Sequence, residues 1–146
     1  MQIPSDVYAG IRGLVPIACV DLLITNCAGE ILLVRRLNDP AKGEWWLPGG
    51  RVYLGELREV AARRKLWEEC GLETEILTEL RTFDVILEVP SKKELNHAIS
   101  TVFAAKLQNR SVVRLDHQSQ EHSWKLPSQW KKESLHPFVI DCLALL

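Results

Sequence analysis

The order of elements along the chain predicts an α+β fold around a mixed β-sheet, on three observations. Apolar, β-rich segments come first, one amphipathic helical stretch at 57–70 interrupts them, and further strands and a single C-terminal helix follow. A regular alternation of strand and helix would instead predict a parallel βαβ sheet. With 146 residues, 47% of them apolar and 25% charged, the chain has room for one buried core, and a single domain over 1–146 is expected.

Val7, Tyr8 and Ile11, following Pro4-Ser5-Asp6, predict a short helix capped by Ser5 or Asp6 and stopped at Gly13. Val15 to Thr25 (VPIACVDLLIT) reads as a strand buried on both faces. Asn26-Cys27-Ala28-Gly29 is a turn, and Glu30 to Arg36 returns as the second strand of a hairpin. A loop from Leu37 to Glu44 leads to a short strand, Trp45-Trp46-Leu47, ended by Pro48-Gly49-Gly50, and Arg51 to Leu54 is extended again. Trp45 and Trp46 alternate across their strand, which sends one to the core and the other to a site or a partner.

Leu57 to Cys70 has helical spacing, with Val60, Ala61, Arg64 and Leu66 or Trp67 in step and Gly71 placed to end it. Glu75 to Val89 is one long strand or two short ones, and a loop at Pro90 to Leu95 precedes a strand from His97 to Leu107, with His97 structural. A polar stretch from Gln108 leads to a strand at Glu121 to Leu126. Trp130-Lys131-Lys132 reads as a solvated face, and Pro137 to Leu146 (PFVIDCLALL) as a helix with an apolar side.

Net charge is −1, so no global basic field points to nucleic acid, and phosphate recognition has to come from a local site. The four cysteines form no C-x-x-C pair, and Cys19 and Cys142 sit in apolar runs, as reduced core thiols of a cytosolic protein do. MQIPSDVYAG lacks the basic and apolar regions of a signal peptide. No apolar run approaches the roughly 20 residues of a membrane span. A cytoplasmic protein is expected, with no membrane partner.

The chemistry concentrates between Gly50 and Leu72. Glu68 and Glu69 stand together at a helix end and Glu56 near its start, offering the oxygen ligands that Mg²⁺ or Mn²⁺ requires. Paired glutamates at a helix C-terminus oppose its dipole unless a cation offsets them. Arg64 and Glu68 are spaced i,i+4, so the arginine can orient one carboxylate. Gly49-Gly50 lets backbone approach a ligand closely.

GRVYLGELREVAARRKLWEECGL resembles the signature of the Nudix hydrolases through Gly50, Glu56, Arg64, Leu66, Glu68, Glu69, Gly71 and Leu72. The resemblance implies a Nudix fold, an α/β/α sandwich with a mixed central sheet, the Nudix helix and a C-terminal helix. It also implies a metal-dependent hydrolase acting on a small-molecule nucleotide. One defined position departs: Lys65 stands where the family has a glutamate. A protonated lysine has no lone pair for a proton or a metal, and spaced i,i+4 from Glu69 it can pair with that carboxylate.

The GDP-mannose mannosyl hydrolase branch of the family lacks that glutamate and displaces GDP from the anomeric carbon. Residues 15–21, 32–36 and 38–52 look similar to that branch. The resemblance implies that Asp21 stabilises the positive sugar, that Arg36 and Arg51 bind the diphosphate and help it leave, and that the Gly50 carbonyl and Glu69 hold metal. Counting back from Trp124 puts Gln118 at the branch's metal-binding glutamine and Ser119 where it has a histidine base. His117 and His122 flank that place and are the candidate bases. The site set is therefore Asp21, Arg51, Arg64, His117 and His122 for catalysis, Arg36 and Arg51 for substrate, and Gly50, Glu68, Glu69 and Gln118 for metal. A pyrophosphohydrolase of a nucleoside triphosphate or ADP-ribose, with Glu68 or a distant glutamate as base, is a rival reading. A non-catalytic nucleotide-binding module inactivated by Lys65 is another. A homodimer through the N-terminal helix and strand is a further expectation from the branch.

Overall fold

The computed structural model describes residues 2–108, 113–114 and 119–146, with the side chains of 119 and 120 left aside. Its elements are α1 (Ser5–Arg12), β1 (Ile17–Thr25), β2 (Ile31–Arg36), β3 (Trp45–Trp46), β4 (Gly49–Arg51), α2 (Arg58–Cys70), β5 (Ile76–Val89), a 3₁₀ turn at Pro90–Lys92, β6 (Glu94–Lys106), β7 (Ser119–Lys125), α3 (Pro127–Trp130) and α4 (Pro137–Leu143). Seven strands form one mixed sheet in the order β3-β2-β1-β6-β5, with β4 also on β1 and β7 also on β2. β1 and β6 run parallel from Ile17↔Ala98 to Thr25↔Lys106, and every other pairing is antiparallel.

The expected β1–β2 hairpin forms only at its turn. The two strands share the single register pair Thr25↔Ile31 and then diverge. Beyond the fork β1 takes β4 as partner (Val20↔Gly50, Asp21↔Gly49), while β2 takes β3 and β7. This corrects the reading of Gly49-Gly50 as the stop after the Trp45-Trp46-Leu47 strand. Both glycines lie in a strand, where Gly49 passes so close to β1 that an added Cβ would meet the Val20 carbonyl oxygen at 2.2 Å.

Successive residues of β1 face opposite sides of the sheet. Val20, Leu22 and Ile24 pack with Ala61, Ala62, Leu66 and Cys70 of α2, while Leu23 joins Trp45, Trp46, Trp130 and α4's Phe138 and Val139 on the other side. Helices on both faces make the α/β/α sandwich. α2 starts at Leu57 without a side-chain cap and ends at Gly71, whose φ of +65° closes the helix in the left-handed region. Its inward face is Ala61, Ala62, Lys65, Leu66, Glu69 and Cys70, and the expected Val60 and Trp67 point outward, at 52% and 59% exposure.

Other expectations shift as well. Neither Ser5 nor Asp6 caps α1, which starts after Pro4 with no side-chain cap. Trp130 is buried rather than solvated, because a short helix the sequence did not suggest turns its indole inward to donate to the Ile31 carbonyl at 2.9 Å. Trp45 and Trp46 are both buried in the core, and Trp46 also borders the cleft described below, as expected of one of the two. β5 is one strand, irregular only near Glu79–Arg81. Cys70 and Cys142 are buried, Cys19 is half-buried and Cys27 is exposed. Burial, aided by the neighbouring Asp21, pushes the Cys19 thiol up to about 12, which leaves it unreactive. No helix among the described residues is long and apolar enough to cross a membrane.

Candidate active site

A cleft of about 940 Å³ opens beside the β1–β2 fork, where β4 and α2 meet β1. Asp21, Arg36, Arg51, Lys65, Glu68 and Glu69 all line it. Residues far apart in sequence converge because β1 contributes its middle, β4 its glycines and α2 its inward face.

Asp21 is 9% exposed and accepts a hydrogen bond from the Ser100 hydroxyl of neighbouring β6. Burial pushes its carboxyl up to about 7; the Ser100 hydrogen bond opposes the shift, the Glu69 charge adds to it and Arg36 opposes it. Gly49 makes room for this carboxylate, since a Cβ there would lie 2.5 Å from Asp21 Oδ1.

Arg64 holds Glu56 with two bonds, Nε to Oε2 at 2.7 Å and Nη2 to Oε1 at 2.8 Å. The same guanidinium donates to the Arg51 carbonyl at 2.9 Å and to Glu68 at 3.1 Å, and it lies 3.7 Å from the Tyr53 ring centroid. Its hydrogen bond, with a further one from the Tyr53 backbone, draws the Glu56 carboxyl down to about 2. Arg64 thus fastens the loop before α2 to the helix, and it also orients Glu68.

Lys65 lies beside it with a different arrangement. Its ammonium is 2.9 Å from Glu69 Oε1 and 3.5 Å from Glu68 Oε2, and the side chain runs against Gly50. Glu69 is 5% exposed, and its other oxygen accepts from the Gly49 amide at 3.4 Å. Among the described residues no group of three or more His, Cys, Asp or Glu side chains converges in a metal-holding arrangement. Gly50, Glu68 and Glu69 do stand together, but the cation between them is Lys65. As arranged, these donors do not fit a resident divalent ion, which needs their lone pairs directly.

Arg36 lines the cleft with its Nε donating to the Pro40 carbonyl at 2.8 Å. Arg51 lies between two tyrosine rings, 5.6 Å from Tyr8 and 4.9 Å from Tyr53. His117 and Gln118 lie outside the described residues. His122 is on β7 opposite Val34 and exposed, and it is not among the residues lining the cleft. Trp124 is on the same strand, opposite Leu32.

Several cleft residues lie outside the site set read from the sequence. Tyr8 comes from α1, and Arg114 packs on Gly71 while its amide donates to the Cys70 carbonyl at 2.7 Å. Asn96 is 8% exposed, and its buried side-chain amide nitrogen has no hydrogen-bond partner among the described residues. Gly49 was read, with Gly50, as letting backbone approach a ligand closely, but not as the residue that makes room for Asp21. No local pattern marks any of them; each becomes a cleft residue through the strand register or helix docking.

The Nudix domain profile matches residues 15–145 of the chain. The low-salt glycan biosynthesis protein Agl8 of Haloferax volcanii is 33% identical over 140 residues, 94% of this chain and 86% of that protein. An ADP-ribose pyrophosphatase of Methanocaldococcus jannaschii is 38% identical over 88 residues, 60% of this chain and 49% of that protein. Among solved structures, a MutT Nudix hydrolase from Burkholderia pseudomallei superposes with a TM-score of 0.76 at 25% identity, covering 90% of this chain and 98% of that one. The Nudix domain of Shewanella oneidensis NrtR, complexed with ADP ribose, gives 0.74 at 17% identity over 98% and 96% of the two chains, a likeness of fold. The profile match over nearly the whole chain, and a relative aligned along its length, agree with the sheet, helix and cleft described above: the protein belongs to the Nudix hydrolase family.

Proposed function

We propose that the protein hydrolyses a nucleoside diphosphate linked to a sugar, of the GDP-mannose kind, releasing the nucleoside diphosphate and the free sugar. The observation that carries this reading is Asp21, a buried carboxyl group lining a cleft that Arg36 and Arg51 also line, with Lys65 replacing the glutamate that would serve attack at phosphorus. Cleavage at the anomeric carbon builds positive charge on the sugar, where the Asp21 carboxylate helps, and negative charge on the departing diphosphate, where Arg36 and Arg51 help. In the balanced reaction the water oxygen bonds to that carbon. The bond from carbon to diphosphate oxygen breaks with its electron pair leaving on the diphosphate. The proton of the attacking water passes to a base, for which His117 is the candidate, since His122 does not line the cleft. Arg64 acts through Glu56 and Glu68, holding the loop and one carboxylate in place.

Nudix hydrolases generally use divalent metals. Here Mg²⁺ or Mn²⁺ is the proposed ion, and Gly50, Glu68, Glu69 and Gln118 are the ligands it would take once the Lys65 ammonium gives up the carboxylates. The likeness to a glycan biosynthesis protein supports a sugar-linked substrate. A homodimer and a cytoplasmic location belong to the same proposal; the exposed Val7 on α1 and the exposed Leu14 just after it support the first.

Hydrolysis of GDP-mannose with Mg²⁺ in ¹⁸O-water tests the reading. Label in the sugar supports attack at carbon, and label in the phosphate overturns it. The second outcome would favour a pyrophosphohydrolase, the reading supported by the likeness to an ADP-ribose pyrophosphatase and by Glu68 at the cleft edge. Thermal stabilisation by nucleotide without product would mark a binding module.

A further inference from the structure

The cleft's acidic pair is neutralised by the chain itself. Lys65 is 8% exposed, although it lies in the middle of a helix with its outer face in solvent. Lysines are almost never so buried unless paired. Three contacts explain the burial. Glu69 Oε1 lies 2.9 Å from the ammonium, Glu68 Oε2 lies 3.5 Å away, and Gly50 forms the seat. A Cβ at Gly50 would fall 2.6 Å from Lys65 Cε and 3.0 Å from Nζ. Gly50 therefore has a role in this chain besides offering its carbonyl: only the absence of a side chain lets the lysine lie there.

Its neighbour Arg64 cannot exchange partners in the same way, since Glu56, the Arg51 carbonyl and Glu68 take its donors. Lys65 is a point charge on a flexible four-carbon stem, with donors that rotate. A divalent ion entering between Glu68, Glu69 and Gly50 has to take the carboxylate oxygens that the ammonium now uses. It also has to overcome repulsion from a cation already there.

We propose that Lys65 is the built-in counter-cation of this site, so that a divalent ion binds at Gly50, Glu68 and Glu69 only by displacing its ammonium. The protein without nucleotide then holds Mg²⁺ or Mn²⁺ weakly, and the ion binds together with a diphosphate. The anion supplies new ligands for the ion and an acceptor for the displaced ammonium. This rests on the reading that the cleft takes a diphosphate, but its test is made without substrate.

The test is titration of Mn²⁺ into the full chain without nucleotide, followed by the electron-paramagnetic signal of the free ion. The wild type is expected to take up Mn²⁺ only in the millimolar range. Lys65→Met, which keeps the length without the charge, and Lys65→Gln, which keeps a donor for Glu69, should each tighten uptake by about tenfold or more. Thermal midpoints establish that the variants are folded. Micromolar uptake of one Mn²⁺ per wild-type chain overturns the proposal, as does a folded Lys65→Met or Lys65→Gln that binds no more tightly than wild type. If neither variant folds, wild-type uptake alone decides. A wrong substrate assignment would show in the isotope experiment and leave these titrations unchanged.

Discussion

Arg64 and Lys65 are consecutive residues of α2, both pair with glutamates of the same motif, and they do opposite things. Arg64 spends a rigid fork of donors on the two oxygens of Glu56, the Arg51 carbonyl and Glu68, and stacks on Tyr53. Lys65 reaches Glu69 and Glu68 with one ammonium. A planar guanidinium fixes geometry, whereas an ammonium holds charge and can move. The first pair builds the site, and the second tunes what enters it. A motif that reads as one row of charges therefore divides into a structural half and an exchangeable half.

The largest expected effect breaks the exchangeable half. Glu69→Gln should lower turnover by about 10²–10³-fold, the scale of removing one group that stabilises transition-state charge, as measured by initial rates on GDP-mannose. A fully active variant would remove Glu69 from the chemistry.

Breaking the structural half should act on stability first. Arg64→Met leaves Glu56 without its charged partner and should cost about 2 kcal/mol in urea unfolding, below the figure for a fully buried pair because both groups keep some contact with water. The same pair sets an acid limb. The Glu56 carboxyl is lowered in the folded state from 4.5 to about 2, so its contribution is complete above pH 4.5 and is lost as pH falls towards 2. Wild type should lose stability through that window, and Arg64→Met should lose less. Equal slopes would show that the pair is not the source.

The smallest effects separate the two adjacent glycines. Gly49→Ala would drive a Cβ into the Val20 carbonyl, backbone that cannot move aside cheaply, and should cost about 2 kcal/mol. Gly50→Ala meets only the flexible end of Lys65 and should cost under about 1 kcal/mol, because the lysine can shift. Thermal unfolding of both variants checks the order; a reversed order would mean that Lys65 is held more rigidly than its single ammonium suggests.

Much of the architecture was legible because it rests on local rules. The spacing at 57–70 and Gly71 marked α2 to within a residue, since helical periodicity and a left-handed stop are written in neighbouring positions. The i,i+4 spacing of Lys65 and Glu69 likewise announced a pair that the helix brings to 2.9 Å. Other features were hidden. The β1–β2 fork follows from β4 and β7 competing for strand edges, and nothing in the turn at 26–29 reports that competition. Trp130 stood among polar residues, and only docking against Ile31 put it in the core. His117, a base candidate, and Gln118, a metal-ligand candidate, lie outside the described residues.

By itself, then, the sequence determined the α+β class, the helix that carries the acidic pair, and Lys65 as the exception within it, because those depend on spacing along one element. The tertiary structure decided which face of α2 turns inward, bringing Lys65 and Glu69 to the cleft and leaving Val60 and Trp67 in solvent. It also decided that Asp21 meets Ser100, 79 positions away in sequence, across a parallel strand pair. Partners on separate elements are chosen by register and packing, which no local pattern in the chain encodes.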